Sequence, residues 1–171
     1  MQIPITNFNV FRADRQNRTH GGVLLYIHKS ILIIYWEIFD DKICQGIFCV
    51  SVPSKITISC VYKPGVASDK SFSNLLQFLE SCFKQIPESH DFTNIVLGDL
   101  NFPNRWQSNY MEISGKTKSE RNLLSFLDTH FLSQYVDKAT RKSNILDLCF
   151  TNNNRLVHAV RSRSMIFLII I

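Results

Sequence analysis

Long apolar runs, paired cysteines and low-complexity segments are all missing from this chain of 171 residues. The apolar tail Met165–Ile171 has only seven residues, whereas a helix that crosses a membrane needs roughly 20. We interpret this tail as a core strand and expect no membrane partner. The composition, 45% hydrophobic and 19% charged, excludes a disordered or collagen-like chain. It predicts a globular protein with a single domain over residues 1–171.

The cysteines are odd in number and lack the paired spacing of a zinc site: Cys44, Cys49, Cys60, Cys82 and Cys149. Most of them lie within apolar segments, so we interpret them as small buried side chains and not as a disulfide framework. The first residues lack a basic region followed by an apolar core, so we expect no signal peptide. Together these features predict an intracellular protein, nuclear or cytoplasmic, with reduced thiols.

Positive charge is in modest excess, with 19 Lys and Arg against 14 Asp and Glu and a sequence pI near 9.0. This balance favours a polyanionic partner such as DNA over an acidic protein. Basic residues form two clusters, which are Arg12, Arg15 and Arg18, and Lys138, Arg141 and Lys142. Both clusters could contact phosphates, although a solvated loop would have the same composition.

Strand patterns dominate the first third of the chain. Segments dense in β-branched and aromatic residues are Val23–Ile27, Ile31–Phe39, Gln45–Val52 and Ile56–Tyr62. These segments predict a meander of sheet, with a hairpin turn at Pro53–Ser54. Further strands are predicted over Asn94–Leu97 and Ile145–Thr151, and the pattern is compatible with another over Leu156–Val160.

Two amphipathic helices are predicted between these strands. The first has Asp69 or Ser71 as its N-cap, ends near Pro87, and has its apolar residues at helical spacing: Phe72, Leu75, Leu76, Leu79, Phe83 and Ile86. The second follows a capping box at Thr117–Glu120 and has Leu123, Leu124, Leu127 and Phe131 as its inner face. The alternation of sheet and helix predicts an α/β sandwich of two packed sheets with helices outside.

The segment Ile95–Asn101 is the most informative in the chain. Three apolar residues followed by Gly98 predict a buried strand that ends with two polar residues, Asp99 and Asn101. If the chain is still extended there, these two side chains lie on the same face of the sheet. A carboxylate beside an amide suits a site that binds a phosphate, a divalent cation and a water. The alternative interpretation is an Asx-rich turn that only closes the strand.

Four segments occur in an order typical of one superfamily: Gly21–Ile27, Val61–Pro64, Gly98–Asn101 and Asn144–Asn152. Together they resemble the endonuclease/exonuclease/phosphatase superfamily. The resemblance is greatest to the apurinic-type endonuclease domain of non-LTR retrotransposons and their reverse-transcriptase polyproteins. It extends from about Asn9 to about Asn154. It implies a four-layered α/β sandwich of two packed, mainly antiparallel sheets with outer helices.

The resemblance also implies roles for individual residues. Asp99 would orient or deprotonate the attacking water, and Asn101 would contact the phosphate and that water. Tyr62 would reach the scissile phosphate or the leaving oxygen. Asp147 would orient a catalytic histidine. The alternatives are a tyrosine that merely ends a strand and a buried acid with a structural role.

Binding residues and a cofactor follow from the same resemblance. Thr140 and Arg141 correspond to a segment near the DNA backbone in related retrotransposon enzymes. Magnesium is the implied ion, because it keeps several waters and needs only one or two carboxylates from the protein. No residue of this sequence is assigned as its ligand.

The sequence departs from the family pattern at both ends. The family's early asparagine and its metal-binding glutamate would precede Met1, and its closing Ser-Asp-His segment has no counterpart after Asn154. From these departures we expect an incomplete sandwich that is weakly active or inactive by itself. Two other functions stay open: a phosphoesterase that acts on a lipid or small phosphoester, and a non-catalytic module that binds nucleic acid.

Overall fold

The computed structural model describes residues 5–15, 21–86, 91–102, 106–107, 110–111, 117–142, 144–153, 155, 160–163 and 166–169. The strands are β1 (Phe8–Asp14), β2 (Gly22–His28), β3 (Tyr35–Asp40), β4 (Gln45–Ser51), β5 (Ile56–Tyr62), β6 (Thr93–Asp99), β7 (Trp106–Gln107), β8 (Tyr110–Met111), β9 (Ser133–Gln134), β10 (Asp147–Thr151), β11 (Val160–Arg163) and β12 (Ile166–Ile169). The helices are α1 (Asp69–Lys84) and α2 (Lys118–Thr129).

A six-stranded sheet forms the centre of the fold, in the order β3-β4-β5-β6-β10-β9. Its pairs are antiparallel except for β5 and β6, which run parallel and are joined by α1. A parallel pair needs such a crossover connection, because a tight turn cannot return the chain to the same end of the sheet. Both β5 and β6 therefore end at the same edge of the sheet.

Opposite faces of this sheet are covered by different layers. On one face the helices pack closely, since Phe48 of β4 contacts Phe83 of α1 at a ring distance of 5.6 Å. The hairpin of β1 and β2 covers the other face and buries Val23, Leu25 and Ile27. The described residues therefore form three layers of α/β structure, with a mainly antiparallel sheet in the middle.

The strand predictions agree with the structure in position, with one correction. Strand β5 has the predicted bounds, and a turn between Val52 and Lys55 joins it to β4. The predicted strand Ile31–Phe39 is wrong in its first part, because β3 begins only at Tyr35. The segment Ile31–Ile34 is apolar, but it precedes the edge strand β3 and takes no part in regular strand pairing. The predicted strand Leu156–Val160 lies almost entirely outside the described residues.

The helix predictions need two corrections. Helix α1 is capped by Ser68, whose side chain accepts the Ser71 N–H, so neither predicted cap is the N-cap. Helix α2 has the predicted capping box, but Phe131 is 79% exposed and does not belong to its inner face. The helix ends at Thr129, and Phe131 has a positive φ of 53°, so the helical periodicity no longer applies there. Among the described residues, no helix has the length and apolarity needed to span a membrane.

Gly98 of β6 lies against the backbone of β5. Its φ is +149°, and a Cβ atom built on it would lie 1.7 Å from the carbonyl oxygen of Val61. No side chain fits at that distance, and the neighbouring atoms are backbone, which cannot move without disturbing the parallel pairing. Glycine is therefore required one residue before Asp99.

We predict that Gly98→Ala destabilises the protein by about 3 kcal/mol or more, because the new methyl group must displace the backbone of β5. Gly65→Ala is the matched control, since its Cβ would meet nothing closer than the Asn101 Cβ at 4.0 Å. Urea unfolding of both variants measures the difference. Equal free energies of unfolding for the two variants would contradict this account of Gly98.

Candidate active site

Four polar residues lie at one level across neighbouring strands of the central sheet. Gln45 of β4 pairs with Tyr62 of β5, Tyr62 pairs with Asp99 of β6, and Asp99 pairs with Asp147 of β10. Side chains of directly paired residues project from the same face of a sheet. We call these four residues the polar row. The structure thus brings together three residues that the sequence analysis singled out, and it adds Gln45.

The two carboxylates of the polar row are buried beside each other. Asp99 is 9% exposed and Asp147 is 5% exposed. Burial raises the pKa of Asp99, and the charge of Asp147 raises it further. Hydrogen bonds from Asn101 and the positive charge of Arg141 act in the opposite direction but do not cancel the rise. Asp99 is therefore a stronger base than an exposed aspartate.

Asn101 lies beside Asp99 in a tight turn. Its φ is +46°, so the chain is no longer extended and the strand alternation expected for Asp99 and Asn101 does not apply. The Asn101 N–H donates to Asp99 Oδ1 at 3.0 Å, and Asn101 Nδ2 donates to the Lys63 carbonyl oxygen at 3.0 Å. The Asx turn considered as an alternative is present, and it holds both polar side chains at the end of β6.

Tyr62 borders the β1–β2 layer. A Cβ atom on Gly21 would lie 2.8 Å from Tyr62 Cε1, so only glycine allows the tyrosine ring to pack there. Within the described part of the chain, no hydrogen bond engages the Tyr62 hydroxyl. This hydroxyl is thus a donor that a ligand could use.

Thr140 organises the start of β10. Its Oγ1 accepts the backbone N–H groups of Leu146 at 3.0 Å and Asp147 at 3.1 Å. Arg141 pairs with Asn144 in the same turn and is exposed. Its charge acts on Asp99, which places it at the rim of the polar row. The predicted DNA contacts of Thr140 and Arg141 stay predictions, while the geometry adds a structural role for Thr140.

Two residues near the site were given no role from the sequence. Gln45 is fully buried and donates to Asp40 Oδ1 at 2.9 Å, and its Oε1 has no hydrogen-bond partner among the described residues. Lys63 is 5% exposed, and its Nζ lies 4.4 Å from the centre of the Phe102 ring. The sequence feature that could have indicated Gln45 is a polar glutamine at the start of an otherwise apolar strand. Its place in the row depends on sheet register, which the sequence does not show.

The basic clusters are only partly described. Arg12 pairs with Asp14, and the buried Nε of Arg15 has no hydrogen-bond partner in the described ranges. Arg18 lies outside the described residues. Lys138 and Lys142 are exposed.

Within the same described ranges, no three or more His, Cys, Asp or Glu side chains group together as metal ligands.

The arrangement can bind and polarise an anionic ester. It places a basic carboxylate, a second acid, an amide and a phenol hydroxyl at the ends of neighbouring strands, with Arg141 at the rim. Carboxylates can take a proton from water, while amide, phenol and guanidinium groups can donate hydrogen bonds to phosphate oxygens.

Comparison with known proteins identifies similar sequences and folds. A family model described as endonuclease-reverse transcriptase matches residues 56–166. The solved endonuclease domain of TRAS1, a telomere-specific non-LTR retrotransposon, is similar with a TM-score of 0.61 and 16% identity over 96% of this chain and 81% of that chain. The resemblance inferred from the sequence motifs is thereby confirmed.

A second solved structure is an endonuclease/exonuclease/phosphatase family protein from Bacteroides thetaiotaomicron. It has a TM-score of 0.52 and 11% identity, over 85% of this chain and 61% of that chain. At such identities the two structures show a shared fold alone, which confirms the predicted α/β class. None of the curated proteins matches this sequence significantly.

We predict that Asp99→Asn raises the free energy of unfolding at neutral pH by about 1 kcal/mol, because it removes a buried charge beside Asp147 and keeps the oxygen that accepts the Asn101 N–H. The pKa of Asp99 is raised in the folded state, so its ionisation opposes folding. In the wild-type protein, the destabilisation caused by the Asp99 charge should be absent below the ordinary pKa of 3.8 and complete above the raised pKa. Urea unfolding over a pH series measures it, with the exposed Asp137→Asn as control. A less stable Asp99→Asn variant at neutral pH would contradict this prediction.

We also predict that Thr140→Val lowers the free energy of unfolding by about 1–3 kcal/mol, because two buried N–H groups lose their acceptor. Thr140→Ser keeps the hydroxyl and should stay close to wild type. Urea unfolding measures stability, and amide hydrogen exchange at Asp147 reports the local effect. Unchanged exchange at Asp147 in Thr140→Val would show that this hydroxyl does not hold the start of β10.

Proposed function

The chain belongs to the endonuclease-reverse transcriptase family, whose model matches more than half of its length, and we propose that it is a weakly active, DNA-nicking endonuclease of a retroelement. The reaction is metal-dependent cleavage of a phosphodiester bond by in-line attack of water. One observation supports this proposal above all: Tyr62, Asp99 and Asp147 lie at one level at the ends of three adjacent strands.

In the proposed reaction Asp99 orients the attacking water and accepts its proton. A base must be ionised yet basic enough to take a proton, and burial beside Asp147 makes Asp99 more basic than an exposed aspartate. The Asn101 amide contacts the phosphate and the water, and the Tyr62 hydroxyl donates a hydrogen bond to a phosphate oxygen. Because these groups are held by strand ends and a tight turn, little reorganisation is needed during the reaction.

The donor set is compatible with Mg²⁺. This ion prefers oxygen ligands and needs only one or two carboxylates from the protein. Asp147 is buried beside Asp99 across β6 and β10, and a dication next to it would balance its charge. Asp147 and the Asn101 amide oxygen are the residues that would hold the ion, while Asp99 stays unligated and able to accept the proton. The ion would neutralise charge that develops on the phosphate and the leaving oxygen.

DNA is the proposed substrate. The formal net charge of +5 favours association with a polyanion. Arg141, at the rim of the polar row, and Thr140 next to it are the proposed contacts to the DNA backbone. Contacts of this kind position the duplex without reading its sequence.

We expect the purified chain to nick supercoiled plasmid only slowly in magnesium, and Asp99→Ala to lower the single-turnover rate by at least about 100-fold, since removal of a transition-state group typically costs about 2–4 kcal/mol. An excess of protein over plasmid allows slow cleavage to be detected. Nicking should also disappear in EDTA, which removes the divalent cation.

Asp137→Ala is the matched control, because Asp137 is an exposed aspartate that does not belong to the polar row. It should nick at the wild-type rate. If a folded wild-type sample does not nick under these conditions, or if Asp99→Ala nicks as fast as the control, the proposed reaction is wrong.

A further inference from the structure

Lys63 is a buried lysine that has no acidic partner at short range among the described residues. Its ammonium lies 4.4 Å from the centre of the Phe102 ring and 5.7 Å from that of Phe72. In the described part of the chain, no carboxylate lies within ion-pair distance of it. Lysine is almost never buried to this extent unless it is paired, because the charged form loses its hydration. Two aromatic faces therefore replace the usual carboxylate.

Burial lowers the pKa of Lys63, while the charges of Asp99 and Asp69 and the Cys44 thiol act to raise it. The attraction between a cation and an aromatic face is stronger in a desolvated place than at the protein surface. Phe102 also packs edge-on against Phe72, with 5.3 Å between ring centres, so the ring under the ammonium is itself held in place.

The backbone of Lys63 contacts the same turn as its side chain. Its N–H donates to the Asp99 carbonyl oxygen at 2.8 Å, which extends the pairing of β5 and β6 by one residue. Its carbonyl oxygen accepts Asn101 Nδ2 at 3.0 Å. Lys63 therefore contacts the turn from Asp99 to Phe102 at three points, two through the backbone and one through the ammonium.

The contact with Nδ2 determines how the Asn101 amide is oriented. With Nδ2 directed at Lys63, the amide oxygen of Asn101 faces the other way and is left for a ligand. Asn101 has a positive φ of 46°, a conformation that asparagine adopts more readily than most residues when its side chain is hydrogen-bonded locally. Here the hydrogen bond to the Lys63 carbonyl oxygen is one of the contacts that hold the turn.

We propose that Lys63 is a positioning residue of this site: its ammonium, held against Phe102, fixes the turn from Asp99 to Phe102 and so orients Asn101. The consequence for catalysis rests on the proposed function, but the effect on the turn does not. The competing role is a direct contact to DNA, although Lys63 is too buried to reach a phosphate in this conformation. The test separates the two roles.

The test compares Lys63→Met with wild type by amide hydrogen exchange. Methionine keeps an unbranched side chain between the two rings but removes the charge. We expect exchange at the Asn101 amide to become faster by about tenfold, while exchange at the core strand β10 stays close to wild type after correction for global stability. Lys70→Met, at an exposed position of α1, is the matched control and should leave Asn101 exchange unchanged.

A double-mutant cycle tests whether the effect passes through the ring. If the cation and the Phe102 ring act together, the effects of Lys63→Met and Phe102→Leu on Asn101 exchange should not be additive. Additive effects, or unchanged exchange in Lys63→Met, would overturn the proposal. Should Lys63→Met fail to fold, Lys63→Arg, which keeps the charge and can stack on the ring, replaces it and should retain wild-type exchange at Asn101.

DNA affinity measured over a salt series separates positioning from phosphate contact. A positioning residue leaves the salt dependence of binding unchanged, whereas loss of one phosphate contact lowers the slope by about one. A lower slope in Lys63→Met would overturn the proposal. For the nicking reaction we expect a lower rate at saturating DNA with unchanged affinity. If wild type does not nick at all, the proposed function fails, and the exchange measurements still decide the role of Lys63.

Discussion

The parallel pairing of β5 and β6 is the constraint on which the rest of the site depends. The Val61 carbonyl oxygen occupies the space that a side chain at position 98 would need, so the two strands can pair in this register only with glycine there. That register places Tyr62 level with Asp99 and brings the Lys63 N–H to the Asp99 carbonyl oxygen. The antiparallel neighbour β10 then adds Asp147 at the same level.

The site combines buried groups that are individually costly. Asp99 and Asp147 repel each other in a poorly hydrated place, and Lys63 carries a charge without an acid at ion-pair distance among the described residues. A fold tolerates such groups when the surrounding elements hold them in place and provide compensating contacts. Here the compensation comes from backbone N–H groups, from Arg141 at the rim and from the aromatic rings of Phe72 and Phe102. Stored electrostatic strain of this kind is common at catalytic sites.

Local patterns predicted the elements well where side-chain periodicity and capping act over a few residues. The bounds of β5 and the capping box of α2 follow from such short-range rules. The predictions failed where the chain leaves a regular element. Helical spacing extended the inner face of α2 to Phe131, although the helix has already ended. The condition under which Asp99 and Asn101 would share a face is not met, because the chain turns after Asp99 and forms the alternative Asx turn.

By itself the sequence determined which residues could act, since a glycine, a carboxylate and, two residues later, an amide at the end of an apolar run limit what that segment can do. It also determined the class of fold, because apolar spacing decides which segments become strands and which become helices. Only the tertiary structure decided that Gln45 stands beside Tyr62 and that the Lys63 ammonium lies against Phe102. Strand register and cation–aromatic contacts join residues distant along the chain, and no local pattern encodes which of many possible partners will meet.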